Sequence, residues 1–144
     1  MGGPRNGVAD VDAAVTDTHA LLFHAAGSAR LGRRATAHFG AAERREALVY
    51  VPAAVMWEVA LLARAGRFNL RRAPRDFFAD LFSNPAYQPY DLTASQVLDA
   101  DDLRGHINRD PFDALICAAA RALELPLLTR DADIERSGAV RVLW

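Results

Sequence analysis

Strand-type and helix-type segments alternate along this chain, and that alternation limits its fold more than any other feature. Residues 14–16 read as a short strand running into an apolar helical start, His19-Ala20-Leu21-Leu22-Phe23. Residues 27–47, rich in Ala, Arg and Glu, read as a helix with an exposed basic face. Leu48-Val49-Tyr50-Val51 is a strand closed by Pro52, which has no N–H to give a sheet ladder and so suits the strand's exit. Helices are expected over 53–65, ended near Gly66, and over 75–82, broken by Asn84-Pro85. Residues 87–92 are a strand candidate, 93–103 a helix with Thr93 as N-cap, and 111–123 the clearest helix. Strands over 125–129 and 140–144 bracket a short helical turn from Asp131. Strands joined by helical crossovers imply an α/β fold with a parallel sheet covered on both faces. Sites in such sheets form at the carboxyl ends of strands. Asp17 and Asp131 follow the first and fourth expected strands.

Composition narrows the class. With 144 residues the expectation is one domain over 14–144 behind a loose leader, residues 1–13. At 51% hydrophobic and 24% charged, the chain has enough apolar surface for a core without disulfides or a structural metal. Cys117 is the single cysteine, which excludes an internal disulfide and a Cys-rich zinc site. The N-terminal stretch lacks the apolar core of a secretory signal, and no apolar run is long enough to span a bilayer. The expected location is the cytoplasm, with no membrane partner. Net charge is -1, so no whole-molecule positive field draws in nucleic acid.

Chemistry points to carboxylates. Glu58 lies in Val55-Met56-Trp57-Glu58-Val59-Ala60-Leu61-Leu62, with apolar neighbours at i±3 and i±4. An ionised carboxylate on such a face is costly unless paired or metal-bound. Asp110-Pro111-Phe112-Asp113 opens the 111–123 helix, and capping alone would account for both acids. The small apolar run behind them, Ala114 to Ala120, makes that helix fit for burial, which brings its N-terminal acids towards the strand ends. Asp131 would also serve as a cap. Asp133 is a second candidate there, and Asp131 is preferred because it is nearer the strand end. Hard divalent cations take oxygen ligands, and carboxylates holding such ions suit phosphodiester cleavage. The sequence has no His-Glu-x-x-His zinc motif, nucleophile elbow or P-loop.

Four motifs in order resemble the PIN-domain family, which includes the VapC toxins of bacterial toxin–antitoxin pairs. They are Val15-Thr16-Asp17-Thr18-His19-Ala20-Leu21-Leu22-Phe23; Trp57-Glu58-Val59-Ala60 followed by Gly66-Arg67-Phe68; Arg109-Asp110-Pro111-Phe112-Asp113 with Ala118-Ala119-Ala120; and Leu127 to Asp131 with the closing Val140-Arg141-Val142-Leu143-Trp144. The resemblance implies a three-layer α/β/α PIN-like fold with a central mainly parallel sheet. It implies RNA cleavage dependent on Mg²⁺ or Mn²⁺, homodimers and a cognate antitoxin. By the same resemblance the metal-binding catalytic acids are Asp17, Glu58, Asp113 and Asp131. Asp110, Asp133 and Thr18 are supporting or alternative ligands. The chain departs from the pattern at Pro52-Ala53-Ala54-Val55, where relatives often carry Ser. It also has Leu62 where they often have Lys, Ala114 where they often have Arg, and Asn108 where His is frequent. No metal ligand is lost, but basic substrate contacts are.

RNA binding needs local basic surface. Arg64, Arg67, Arg71, Arg72 and Arg75 follow the Glu58 helix and are candidates for a patch near the cleft; a solvated helix face is the ordinary use of such a run. Trp57 is expected in the core or a dimer interface. Two rivals remain: a non-catalytic RNA- or protein-binding module in which the acids serve only as caps, and a flap-type DNA nuclease, for whose additions the chain has little room.

Overall fold

The computed structural model describes residues 12–144, so the expected leader lies outside the described residues except for its last two. Those two, Asp12 and Ala13, already belong to strand β1 (Asp12–Thr16), where they pair with Ala47 and Leu48. Pairing with a distant strand, which local composition does not reveal, sets where β1 begins.

The elements follow in order as α1 (Thr18–Ala25), α2 (Arg33–Glu43), β2 (Ala47–Pro52), α3 (Ala53–Arg64), α4 (Pro74–Leu81) and β3 (Tyr87–Tyr90). Then come α5 (Ala94–Ile107), α6 (Pro111–Leu123), β4 (Leu127–Leu128), α7 (Ala132–Ser137) and β5 (Val142–Leu143). The strands form one five-stranded sheet in the order β3-β2-β1-β4-β5, and every pair is parallel. Neighbouring side chains in a strand point to opposite faces. Ala14, Val15 and Thr16 are all fully buried, as are Leu127 and Leu128, so both faces of the central strands are covered. That is the three-layer α/β/α arrangement the sequence implies.

Several expected boundaries move for identifiable reasons. The helix expected over 27–47 shrinks to α2, because Gly27 turns the chain with φ +63° and Arg45 ends the helix with φ 62°. Conversely, α5 runs on to Ile107, four residues beyond expectation, since Leu103 is buried and Ile107 packs on the main core. Thr93 caps α5 by accepting from the Gln96 N–H at 3.2 Å. Pro89 is tolerated within β3 because that strand is at the sheet edge.

The small side chains of α6 determine its place. Ala114, Cys117, Ala118, Ala119 and Ala120 are buried, which lets α5 and α3 pack closely against it. Cys117 is a free, buried thiol, and burial pushes it up to about 12, so it acts as a core residue. Trp57 does not enter the core: it is 59% exposed on α3, whose buried face is carried by Ala54, Val55 and Val59. Among the described residues no helix is long and apolar enough to cross a membrane.

Candidate active site

The strand order explains where chemistry can sit. From β1 the chain first builds outward through β2 and β3, then returns to the other side of β1 with β4 and β5. The topological switch point therefore falls between β1 and β4, and their carboxyl ends open a crevice there. Asp17 directly follows β1, and Asp131 lies three residues past the end of β4. A backbone bond from the Asp17 N–H to the Leu128 carbonyl, 3.1 Å, locks the two exits together.

A cavity of about 240 Å³ lies at this crevice, and Asp17, Glu58, Asp110, Asp113 and Asp131 all line it. Three of the five are helix N-caps. Asp17 Oδ1 accepts from the Ala20 N–H at 2.8 Å and caps α1. Asp110 Oδ1 accepts from the Phe112 and Asp113 N–H groups at 2.8 and 3.3 Å and caps α6. Asp131 Oδ1 accepts from the Ile134 N–H at 3.0 Å and caps α7. The capping expected of Asp110 and Asp131 is therefore present, and Asp17 caps as well. Each cap uses only Oδ1 and leaves the second carboxylate oxygen outside it. Asp113 does not form the reciprocal bond of a capping box; its Oδ2 accepts from Asn108 Nδ2 at 2.9 Å, while Asn108 Oδ1 takes the Asp110 N–H. Glu58, on α3, accepts from the buried Thr18 hydroxyl at 2.5 Å.

Burial, with added repulsion between neighbours, makes Asp17, Glu58 and Asp113 hold their protons. Burial pushes the Asp17 carboxyl up to about 6, against the Thr129 and Ala20 hydrogen bonds that favour its ionised form. Burial likewise pushes Asp113 up to about 7, opposed by the Asn108 bond and reinforced by repulsion from Asp110, Asp131 and Asp17. Glu58 is raised as well, chiefly by burial and then by the charge of Asp110, while the Thr18 bond works the other way. The pocket favours neutralisation, by protons or by a cation. Its acidic donors are carboxylate oxygens, which matches the preference of Mg²⁺ and Mn²⁺. Among the described residues, no three acidic, His or Cys side chains converge tightly enough to enclose an ion by themselves.

Some expected residues lie elsewhere. Asp133 faces away and pairs with Arg136, one turn along the exposed side of α7. None of Arg64, Arg67, Arg71 and Arg72 lines the acidic cavity. Arg71 and Arg72 instead line a larger groove of about 810 Å³ between α1, α2 and α4, where Arg72 pairs with Asp80 at 3.0 Å. Arg71 takes a left-handed backbone conformation, φ 65°, in the loop before α4. Five lining residues are not among the expected site residues: His19, Ala20, Phe23, Arg130 and Trp144. His19 and Arg130 are each within two residues of a candidate acid, and that proximity was the available signal. Nothing local links Phe23 or Trp144 to the site.

Together, fold and pocket define a class: a parallel α/β domain with an acidic crevice at its switch point. The family model for the PIN domain matches residues 14–139, and the chain belongs to the PIN-domain family. Solved structures of the same fold include VapBC2 of Rickettsia felis bound to a DNA fragment from its promoter. It is 12% identical, with TM-score 0.65 over 90% of this chain and 96% of that one. A second is VapC20 of Mycobacterium tuberculosis, described as a sarcin–ricin loop cleaving toxin, at 20% identity and TM-score 0.65 over 90% and 98%. A third is a toxin–antitoxin complex of Klebsiella pneumoniae, at 19% identity and TM-score 0.62 over 91% and 98%. At such identities the likeness concerns the fold. No curated protein is significantly similar in sequence.

Proposed function

We propose that this protein is a metal-dependent ribonuclease, the toxin of a toxin–antitoxin pair acting in the cytoplasm. The carrying observation is the gathering of five carboxylates in one crevice at the sheet's switch point. Asp17, Glu58, Asp113 and Asp131 would hold Mg²⁺ or Mn²⁺, with Asp110 and Thr18 in support. Bound there, the cation would activate water and offset charge on the scissile phosphate. The chain's own residues orient the donors. Ala20 and Ile134 fix one oxygen each of Asp17 and Asp131, Asn108 turns Asp113, and Thr18 turns Glu58. Family membership and the toxin–antitoxin character of the structural neighbours support an antitoxin partner. For a homodimer, exposed Trp57 and Leu61 of α3 with Val97 and Leu98 of α5 are the apolar surface we infer a second copy covers. Light scattering would check that state.

Cleavage of structured RNA with Mg²⁺ or Mn²⁺, abolished by EDTA and by Asp113→Asn in a folded protein, is the expected outcome. Full activity of Asp113→Asn would sink the assignment. The second reading, a non-catalytic binding module, draws on the loose spacing of the acids and on the capping role of three of them. Calorimetry in which the wild type takes up neither Mg²⁺ nor Mn²⁺ would favour it.

A further inference from the structure

The rim of the acidic crevice carries a cation that the acids do not neutralise. Arg130 lines the cavity immediately before Asp131, yet among the described residues it forms no ion pair with Asp131 or any other acid. Its guanidinium carbon lies instead 5.0 Å from the centre of the Phe23 ring. Arg30 approaches the same ring at 5.9 Å. The ring is a fixed platform. Phe23 is buried on α1, and Trp144 packs against it edge-on at 6.4 Å. Trp144 is itself pinned: its main-chain oxygen accepts from the Arg34 N–H at 2.8 Å, and its indole fills the notch left by Gly32. A side chain at position 32 would begin 2.6 Å from the indole Cδ1.

Such a platform answers a need of the crevice. Five carboxylates repel RNA, and Arg130 is the lining residue that carries a guanidinium. The arginines after α3 do not line the cavity. A guanidinium held over an aromatic face spends none of its N–H donors on the ring edge and leaves its fork available to an oxyanion. Stacking also removes part of the rotamer entropy that a loose arginine would lose on binding.

We propose that Arg130, held over the Phe23 ring, grips an RNA backbone phosphate next to the scissile bond. Phe23 and Trp144 are positioning residues that act through it. The proposal rests on the ribonuclease reading above, and its test separates the two. Binding of a short fluorescein-labelled single-stranded RNA is followed by anisotropy across a salt series in Ca²⁺. Steady-state cleavage is measured in Mn²⁺, and Mn²⁺ affinity by calorimetry. For Arg130→Gln, affinity falls about tenfold. The log–log salt slope shrinks by about 0.7, the share of one phosphate on a single strand. KM rises while kcat and Mn²⁺ affinity stay near wild type, and Arg130→Lys recovers part of the affinity. Unchanged binding and slope in Arg130→Gln, with the wild type active, overturn this proposal and leave the ribonuclease reading standing. A parallel loss of Mn²⁺ affinity overturns it too, because Arg130 would then act on the acids. A wild type that neither binds nor cleaves RNA overturns both.

Discussion

Asp17 offers a direct thermodynamic check on how the crevice is built. Its carboxyl is raised from 3.8 to about 6, and at about 1.4 kcal/mol per pH unit that opposes the ionised form by about 3 kcal/mol. The folded protein thus holds this proton more tightly than the unfolded chain does. The resulting stability is fully present below about pH 4 and is lost as pH rises through about 6. Asp17→Asn removes the titration and keeps the cap on α1, because asparagine accepts from the Ala20 N–H as well as aspartate does. In EDTA, the mutant and wild type should unfold at similar urea concentrations near pH 4. By about pH 8 the mutant should be the more stable by about 2–3 kcal/mol, somewhat below the full figure because Asp113 and Glu58 share the same field. Urea titrations followed by circular dichroism over that pH range measure the difference. A wild type equal to or more stable than Asp17→Asn at pH 8 without metal would refute the claim that the crevice is electrostatically frustrated. Mn²⁺ should reverse the order, since an ion bound only by the folded wild type stabilises it by mass action.

Three further outcomes follow from the geometry. Thr18→Val deletes the donor to Glu58 with little change in shape, so Mn²⁺ affinity should fall and stability at neutral pH should drop by about 1 kcal/mol, read by calorimetry and urea unfolding. Gly32→Ala should push Trp144 from its notch and cost about 1–3 kcal/mol; an unchanged indole fluorescence spectrum with unchanged stability would count against the packing described. Asp110→Asn should keep the α6 cap and wild-type stability, whereas Asp110→Ala should lose about 1 kcal/mol. If Asp110→Asn also keeps full RNA cleavage, Asp110 is a cap and nothing more.

The legible part of this protein is what repeats or caps within a few residues. The 111–123 helix was readable to the residue, because Asp110 and Pro111 fix its start and six buried side chains of α6 set its inner face. Asp17 and Glu58 could be singled out because an acid at a strand exit, or in an apolar helix, stands out from its surroundings, whereas Asp113 and Asp131 read equally well as caps and were marked by the family resemblance. Short strands were harder: β4 and β5 each keep two paired residues of a longer β-type run, because pairing extends only as far as the neighbouring strand reaches. Of the two places expected for Trp57, the core is excluded, since an apolar residue in an apolar helix still faces solvent if it lies off the buried stripe.

By itself, then, the sequence determined the alternation of strand and helix, the caps and the set of acids, because these follow from backbone period and local hydrogen bonding. Only the tertiary structure decided that β1 and β4 are neighbours, and this opens the crevice between their ends. It turned Asp133 outward to Arg136 and carried Arg71 and Arg72 to a different groove. It also brought Phe23, Arg130 and Trp144, from distant parts of the chain, to one rim. Contacts of that kind depend on which strands pair and which helices pack, and no periodicity along the chain records them.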